Sequence, residues 1–190
     1  LREDADHRKE LDEHDIQAID MVVGNLYPFE HTISKPDAGL SEAVENIDIG
    51  GPTMIRSAAK NYTHVAVLTS PEDYDEVARE LEENDGELSE DTQFELARKA
   101  FEHTARYDMA IAQYLDQLEA GAESYPGRLF MNMTKRQDLR YGENPHQSAA
   151  FYVQEGFEEP CVSNAELLGG KELSFNNIID INSALELVKE

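Results

Sequence analysis

Residues 47–70 read IDIGGPTMIRSAAKNYTHVAVLTS, and the order of patterns within them decides the fold. A brief extended stretch meets two glycines and then Pro52, which suits the first position of a helix because its missing N–H would find no partner there. Met54, Ile55, Ala58 and Ala59 recur at helical spacing and predict an apolar face over MIRSAAKN. HVAVLTS (64–70) is then a short apolar run, the pattern of a buried strand. It leads into Ser70-Pro71-Glu72-Asp73, a helix start with a cap, an early proline and acids in the first turn. That helix is expected to end near Glu83, where Asn84-Asp85-Gly86 breaks it.

Working outward, AIDMVV (18–23) predicts another buried strand, followed by the loop NLYPF, and SEAVENI predicts a short helix from Ser41. From Ser89 a long helix is expected to run to about Gly121. Its apolar stripe comprises Phe94, Leu96, Ala97, Ala100, Phe101, Ala105, Met109, Ile111, Ala112 and Leu115. Strands alternating with helices make this an α/β chain with a largely parallel sheet. Ser124-Tyr125-Pro126-Gly127 reads as a linker, and RLFMNMTK and QSAAFYV read as strands beyond it. The expected organisation is therefore one domain over 1–126 and the start of another over 127–190.

The chain opens at Leu1 in a charged helical run and stops at Glu190 within another, so an internal piece of a longer protein is expected. Cys161 is the single cysteine, which excludes an intrachain disulfide and suits a reducing cytoplasm. No run approaches the ~20 apolar residues of a membrane span. A net charge of −24, from 40 acidic and 16 basic residues, argues against nucleic acid as a partner. Lysine is scarce and the acids are dispersed over most of the expected helices, a pattern that points to a cytosol of very high salt.

Two windows escape the acid excess. Between Asp48 and Glu72 there is no Asp or Glu, yet Arg56 and Lys60 are present. From Pro126 to Tyr141, Arg128, Lys135, Arg136 and Arg140 face a single acid, Asp138. A buried core explains Val65–Leu68 but not the basic residues, because unpaired buried charge is costly. An anionic small ligand is the better reading of the second window, and ligand and core readings are balanced for the first. Ligands of open parallel sheets lie beyond the C-terminal strand ends, where AIDMVV feeds NLYPF. A helix opening at Gly50-Gly51 would offer N–H groups and a positive dipole end to an anion. Asp48 alone reads as a cap, Lys60 as a solvated lysine and Tyr27 as a packed aromatic. If they converge at one strand end they form a proton-transfer group.

NLYPF (25–29), ENIDIGGPTMIRSAAKN (45–61), AFEHTARYDMAIAQYL (100–115), DLRYGENPHQ (138–147) and GKELSFNNI (170–178) together resemble the bifunctional purine biosynthesis family AICAR transformylase/IMP cyclohydrolase. The resemblance implies a methylglyoxal-synthase-like cyclohydrolase domain lacking its first part, then the start of a cytidine-deaminase-like transformylase domain. It implies formyl transfer from 10-formyltetrahydrofolate, the co-substrate, to AICAR, and dehydrative cyclisation of formyl-AICAR to IMP, with no metal required. It also implies a homodimer in the full-length protein. Carried over by position, Lys60 is the proton donor and acceptor of ring closure, with Asp48 and Tyr27 beside it. Gly24, Asn25, Ile49 and Gly50 contact nucleotide, and Arg140 and Tyr141 bind AICAR. Gly24 departs from the family's usual Val or Cys, with little effect expected of a backbone contact. His146 gains no role, because the family's catalytic Lys-His pair falls beyond Glu190, and the N-terminal phosphate loops precede Leu1. The isolated chain is accordingly expected to be inactive. A different class, a non-catalytic methylglyoxal-synthase-like module binding a phosphorylated effector, explains the strand-end site but not RYGENPHQ.

Overall fold

Strands β1 (Met21–Val23) and β2 (Ala66–Leu68) lie side by side and parallel, with Met21 opposite Ala66 and Val23 opposite Leu68. This is a computed structural model describing residues 2–120, 125, 127–154, 157 and 159–189. The chain is mixed α/β with a small parallel sheet, and it separates into two units, Leu1–Arg128 and Leu129–Glu190.

In the first unit, α1 (Ala5–Glu13) is capped by the Asp4 carboxylate and buries no residue. After β1 come α2 (Phe29–Ile33), α3 (Leu40–Glu45) and α4 (Gly50–Lys60), and after β2 a 3₁₀ turn (Pro71–Asp73), α5 (Tyr74–Glu83) and α6 (Glu90–Ala120). β2 is buried at every residue because helices cover both of its faces. Val67 meets Ile55, Ala58 and Ala59 of α4 and Ala97 and Ala100 of α6. Its neighbours Ala66 and Leu68 point the other way, onto Val77 and Leu96, as the two-residue period of a strand requires.

Several expectations need correction. β1 is not the fully buried strand that AIDMVV suggests: Val23 is 51 % exposed, and β2 is its one partner strand among the described residues. α4 begins at Gly50, so both glycines lie in its first turn and Pro52 takes the third position rather than the first. The missing N–H is still harmless, since the first four helical N–H groups lack intrahelical acceptors. Met54 is 60 % exposed, while Ile55, Ala58 and Ala59 form the buried stripe. On α6, Phe94, Phe101 and Leu115 are exposed, and the core positions are filled by Leu96, Ala97, Ala100, Thr104 and Tyr107. A threonine can be buried there because its hydroxyl bonds back to the Phe101 carbonyl.

Ser89 caps α6, its Oγ accepting the Thr92 N–H. Glu80 of α5 then accepts the Ser89 N–H and the Thr92 hydroxyl, each at 2.7 Å, tying the two helices together. These hydrogen bonds, led by that from the Ser89 N–H, hold the Glu80 carboxyl below its ordinary value. The expected end of the long helix near Gly121 and the linker residues Ser124 and Pro126 lie outside the described residues.

In the second unit, β3 (Thr134–Leu139) pairs antiparallel with β4 (Ala149–Val153), with an irregularity between Lys135 and Gln137. α7 (Phe175–Lys189) follows a 3₁₀ turn at Val162–Asn164. RLFMNMTK is thus mostly not strand: Leu129 and Met131 are exposed and precede β3. The strand starts where β4 supplies a partner, and local hydrophobicity does not reveal that limit.

Candidate functional site

The turn before α4 carries the densest polar geometry of the first unit. Asp48 accepts the Gly51 N–H on Oδ1 at 2.8 Å and the Tyr27 N–H on Oδ2 at 3.4 Å. One carboxylate thus caps α4 and ties it to the loop leaving β1. Gly51 allows this approach: a Cβ there would stand 2.5 Å from Asp48 Oδ2 and 2.8 Å from Leu26 Cδ2. α4 has no acid in its first turn, so its N–H groups and positive dipole end face no competing side-chain charge of their own helix.

From above, the turn is fixed by α6. Tyr107, 6 % exposed, accepts the Asp48 N–H at 2.7 Å and donates its hydroxyl to the Asn46 carbonyl at 2.9 Å. Its ring packs edge-on against Phe29, whose N–H donates to the Tyr27 carbonyl at 2.8 Å. Burial raises the phenol's pKa, which keeps it protonated as the donor to Asn46.

Gly24 extends the ladder through its N–H to the Leu68 carbonyl at 3.1 Å, and no atom lies within 4 Å of a Cβ built there. Asn25 and Tyr27 are exposed on the same loop, and Ile49 and Gly50 are exposed at the start of α4. It is the backbone of Tyr27, not its phenol, that meets Asp48. Lys60 stands apart. It is the last residue of an 11-residue helix whose first turn holds the Asp48 site, so about 15 Å of helix separates the two ends. The structure brings Asp48, Tyr27 and Gly50 together and leaves Lys60 at the opposite end of α4. Arg56 of the same basic window lies over the Phe101 ring at 5.5 Å.

The second unit has its own glycine turn, between β3 and β4. Arg140 folds over the Tyr141 ring at 4.9 Å and donates to its hydroxyl at 3.3 Å. The Ser174 hydroxyl first, and Arg140 next, lower the Tyr141 phenol's pKa. The Arg140 N–H donates to Leu173 and the Phe175 N–H to Tyr141, which anchors the pair beside the start of α7. Gln147 closes the turn, accepting the Gly142 N–H on its carbonyl and the Asn144 N–H on Oε1, both at 2.8 Å. Lys135 is paired with Asp138 at 2.6 Å, which reduces the net positive charge of this window.

Sequence reasoning missed Tyr107, Gln147 and Ser174 as parts of these turns. The only available signal was that each lies within a segment carrying the family resemblance. Two open concavities lie elsewhere, one of about 390 Å³ between α1 and His64, the other of about 380 Å³ beside Cys161. Among the described residues no three His, Cys, Asp or Glu side chains gather as a metal site, and no helix is long and apolar enough to cross a membrane.

A family model described as "AICARFT/IMPCHase bienzyme" matches residues 58–190, a span that includes Lys60, Arg140 and Tyr141. A solved structure titled "Crystal structure of ForH" matches with a TM-score of 0.54 and 34 % identity, covering 60 % of this chain. The chain spans 58 % of the length of that structure.

Proposed function

We propose, from the premise that the chain belongs to the AICARFT/IMPCHase bienzyme family, that it serves both final steps of purine biosynthesis to IMP. The first unit is a cyclohydrolase domain of methylglyoxal-synthase-like fold. The second begins a transformylase domain of cytidine-deaminase-like fold, with the boundary near residue 127. Formyl transfer from 10-formyltetrahydrofolate to AICAR belongs to the second, and ring closure of formyl-AICAR to the first. The observation that carries the reading is the Asp48 turn, where a carboxylate bridges a strand-end loop and an acid-free helix N-terminus.

In ring closure the carboxamide nitrogen attacks the formyl carbon and loses one proton, and the formyl oxygen leaves as water when the formamido nitrogen loses the second and the ring C=N bond forms. Asp48 takes the proton from that nitrogen, and the Tyr27 phenol donates toward the departing oxygen. Gly24, Asn25, Ile49 and Gly50 line the nucleotide's path at the same strand end. In the second unit the Arg140 guanidinium binds the AICAR nucleotide with Tyr141 beside it. Lys60 enters from the family resemblance alone, since the geometry does not carry it to Asp48. The protein works as a cytoplasmic homodimer in a cell of high internal salt. The reading as a non-catalytic effector module leaves the second unit and RYGENPHQ without a task.

The test assays the two steps separately in the intact protein that carries this sequence. Asp48→Asn should slow cyclisation by ~10²–10⁴ and leave formyl transfer intact, the range for loss of a positioned acid or base. Folding should change by under ~1 kcal/mol, since the replacement is nearly isosteric. Wild-type cyclisation with a lowered Tm would return Asp48 to a simple helix cap. Lys60→Ala, run alongside, places Lys60 in the reaction only if it slows cyclisation comparably.

A further inference from the structure

We infer that Tyr107 is a positioning residue of the Asp48 site, setting the carboxylate's place through the backbone on either side of it. This rests on the cyclohydrolase reading above. Tyr107 sits in AFEHTARYDMAIAQYL, which like GKELSFNNI carries the family resemblance without a residue of assigned chemistry.

Three contacts carry the inference. The phenol oxygen accepts from the Asp48 N–H at 2.7 Å and donates to the Asn46 carbonyl at 2.9 Å, so it clamps the chain immediately before α4. Both groups are partly buried, and neither has a helical or strand partner among the described residues to replace the hydroxyl. Its ring meets Phe29 at 6.2 Å and 68°, and Phe29 anchors the Tyr27 loop through the bond to the Tyr27 carbonyl. Tyr107 therefore touches both halves of the site: by its hydroxyl the segment that carries Asp48, by its ring the loop that carries Tyr27. The Asp48 Oδ2 to Tyr27 N–H contact, at 3.4 Å, is long for a hydrogen bond. It is the weaker of the ties between the two segments, so their register rests chiefly on Tyr107. A buried tyrosine on a rigid 31-residue helix is a stiffer reference than either loop.

The hydroxyl can be removed while the ring stays. Tyr107→Phe keeps the Phe29 contact and leaves the Asp48 segment unclamped. In the intact protein, kcat for cyclisation should fall roughly 10- to 100-fold, the scale of a displacement of about 1 Å of a catalytic group. KM should stay within about threefold, because no substrate contact is lost. The decisive measurement is the double variant with Asp48→Asn. If Tyr107 acts through the carboxylate, adding Tyr107→Phe to Asp48→Asn should lower kcat by less than about threefold further. Losses that multiply, or an unchanged kcat in Tyr107→Phe with a lowered Tm, overturn the positioning role and leave the cyclohydrolase reading standing. If Asp48→Asn itself cyclises at the wild-type rate, Asp48 has no part in the reaction and the positioning role falls with it, whereas an intact wild-type protein that cannot cyclise formyl-AICAR overturns the cyclohydrolase reading.

Discussion

The two glycine turns are built in opposite ways. Asp48 is held by partners 21 and 59 residues distant, so its turn exists only once β1, α4 and α6 have assembled. The turn after Arg140 closes on itself, Gly142 and Asn144 both bonding to Gln147, and among the described residues its further hydrogen bonds go to the nearby 173–176 segment of its own unit. One turn is a product of tertiary structure, the other of local sequence. Bulk added near the first should therefore damage stability and chemistry together, and substitutions near the second should separate them.

Arg140→Lys gives the largest separation. Lysine keeps the charge but loses the planar fork over Tyr141. Calorimetric titration of the intact protein should show AICAR binding weakened by about 1.5–3 kcal/mol, the range for a hydrogen bond to a charged group. Tm and cyclisation of supplied formyl-AICAR should not move. Equal affinities would reassign the basic window to a purely structural task.

The glycines break the comparison more gently. Gly51→Ala must displace Asp48 or Leu26, and a cost of about 1–3 kcal/mol in denaturant unfolding is expected for overpacking of this kind. Gly50→Ala has open space and should be neutral or stabilising by about 0.5–1 kcal/mol. Gly142→Ala meets Gln147 at 3.0 and 3.1 Å and Ala149 Cβ at an ordinary 3.7 Å, and should cost less than Gly51→Ala. An Ala at 51 that is tolerated as well as one at 50 would mean the Asp48 turn yields easily.

A smaller effect concerns pH. The folded-state pKa of Glu80 is lowered, so its bonds to Ser89 and Thr92 add stability above the unfolded carboxyl value of about 4.5. That contribution disappears as pH falls below the unfolded value and through the folded one. Glu80→Gln should flatten the acid limb of the Tm–pH curve; an unaltered limb would show that the α5–α6 tie has no thermodynamic weight. Salt should leave the comparison untouched while moving everything else. Molar KCl, with a Debye length near ~3 Å, should raise the Tm of the intact protein by screening carboxylate repulsion. The difference between Gly51→Ala and Gly142→Ala is steric and should persist. A Tm indifferent to KCl would leave the surface merely acidic.

The sequence made the α/β alternation legible because β2 and α4 are defined by their own periodicity and their own caps. Ser70 and Ser89 cap where their patterns place them, since capping acts within three residues. What stayed hidden depended on partners. Nothing local says that β3 begins at Thr134, that Met54 faces outward, or that Thr104 and Tyr107 rather than Phe94 and Phe101 occupy the core. Asp48 and Gly50 were found at one turn because they are neighbours in the chain. Lys60 was grouped with them on spacing and resemblance, and a continuous helix carries it away.

Helix α6 passes through every buried cluster of the first unit. Leu96 belongs with Ala66 and Val77, Ala97 and Ala100 with Val67 and Ile55, and Tyr107 with Phe29 and Ala43. No third of the first unit can come apart without disturbing the same rod. Opening fluctuations that expose the amides between Leu96 and Tyr107 must breach all three clusters at once, which makes this stretch one cooperative block in hydrogen exchange. α1, which buries nothing, can fray without involving the rod.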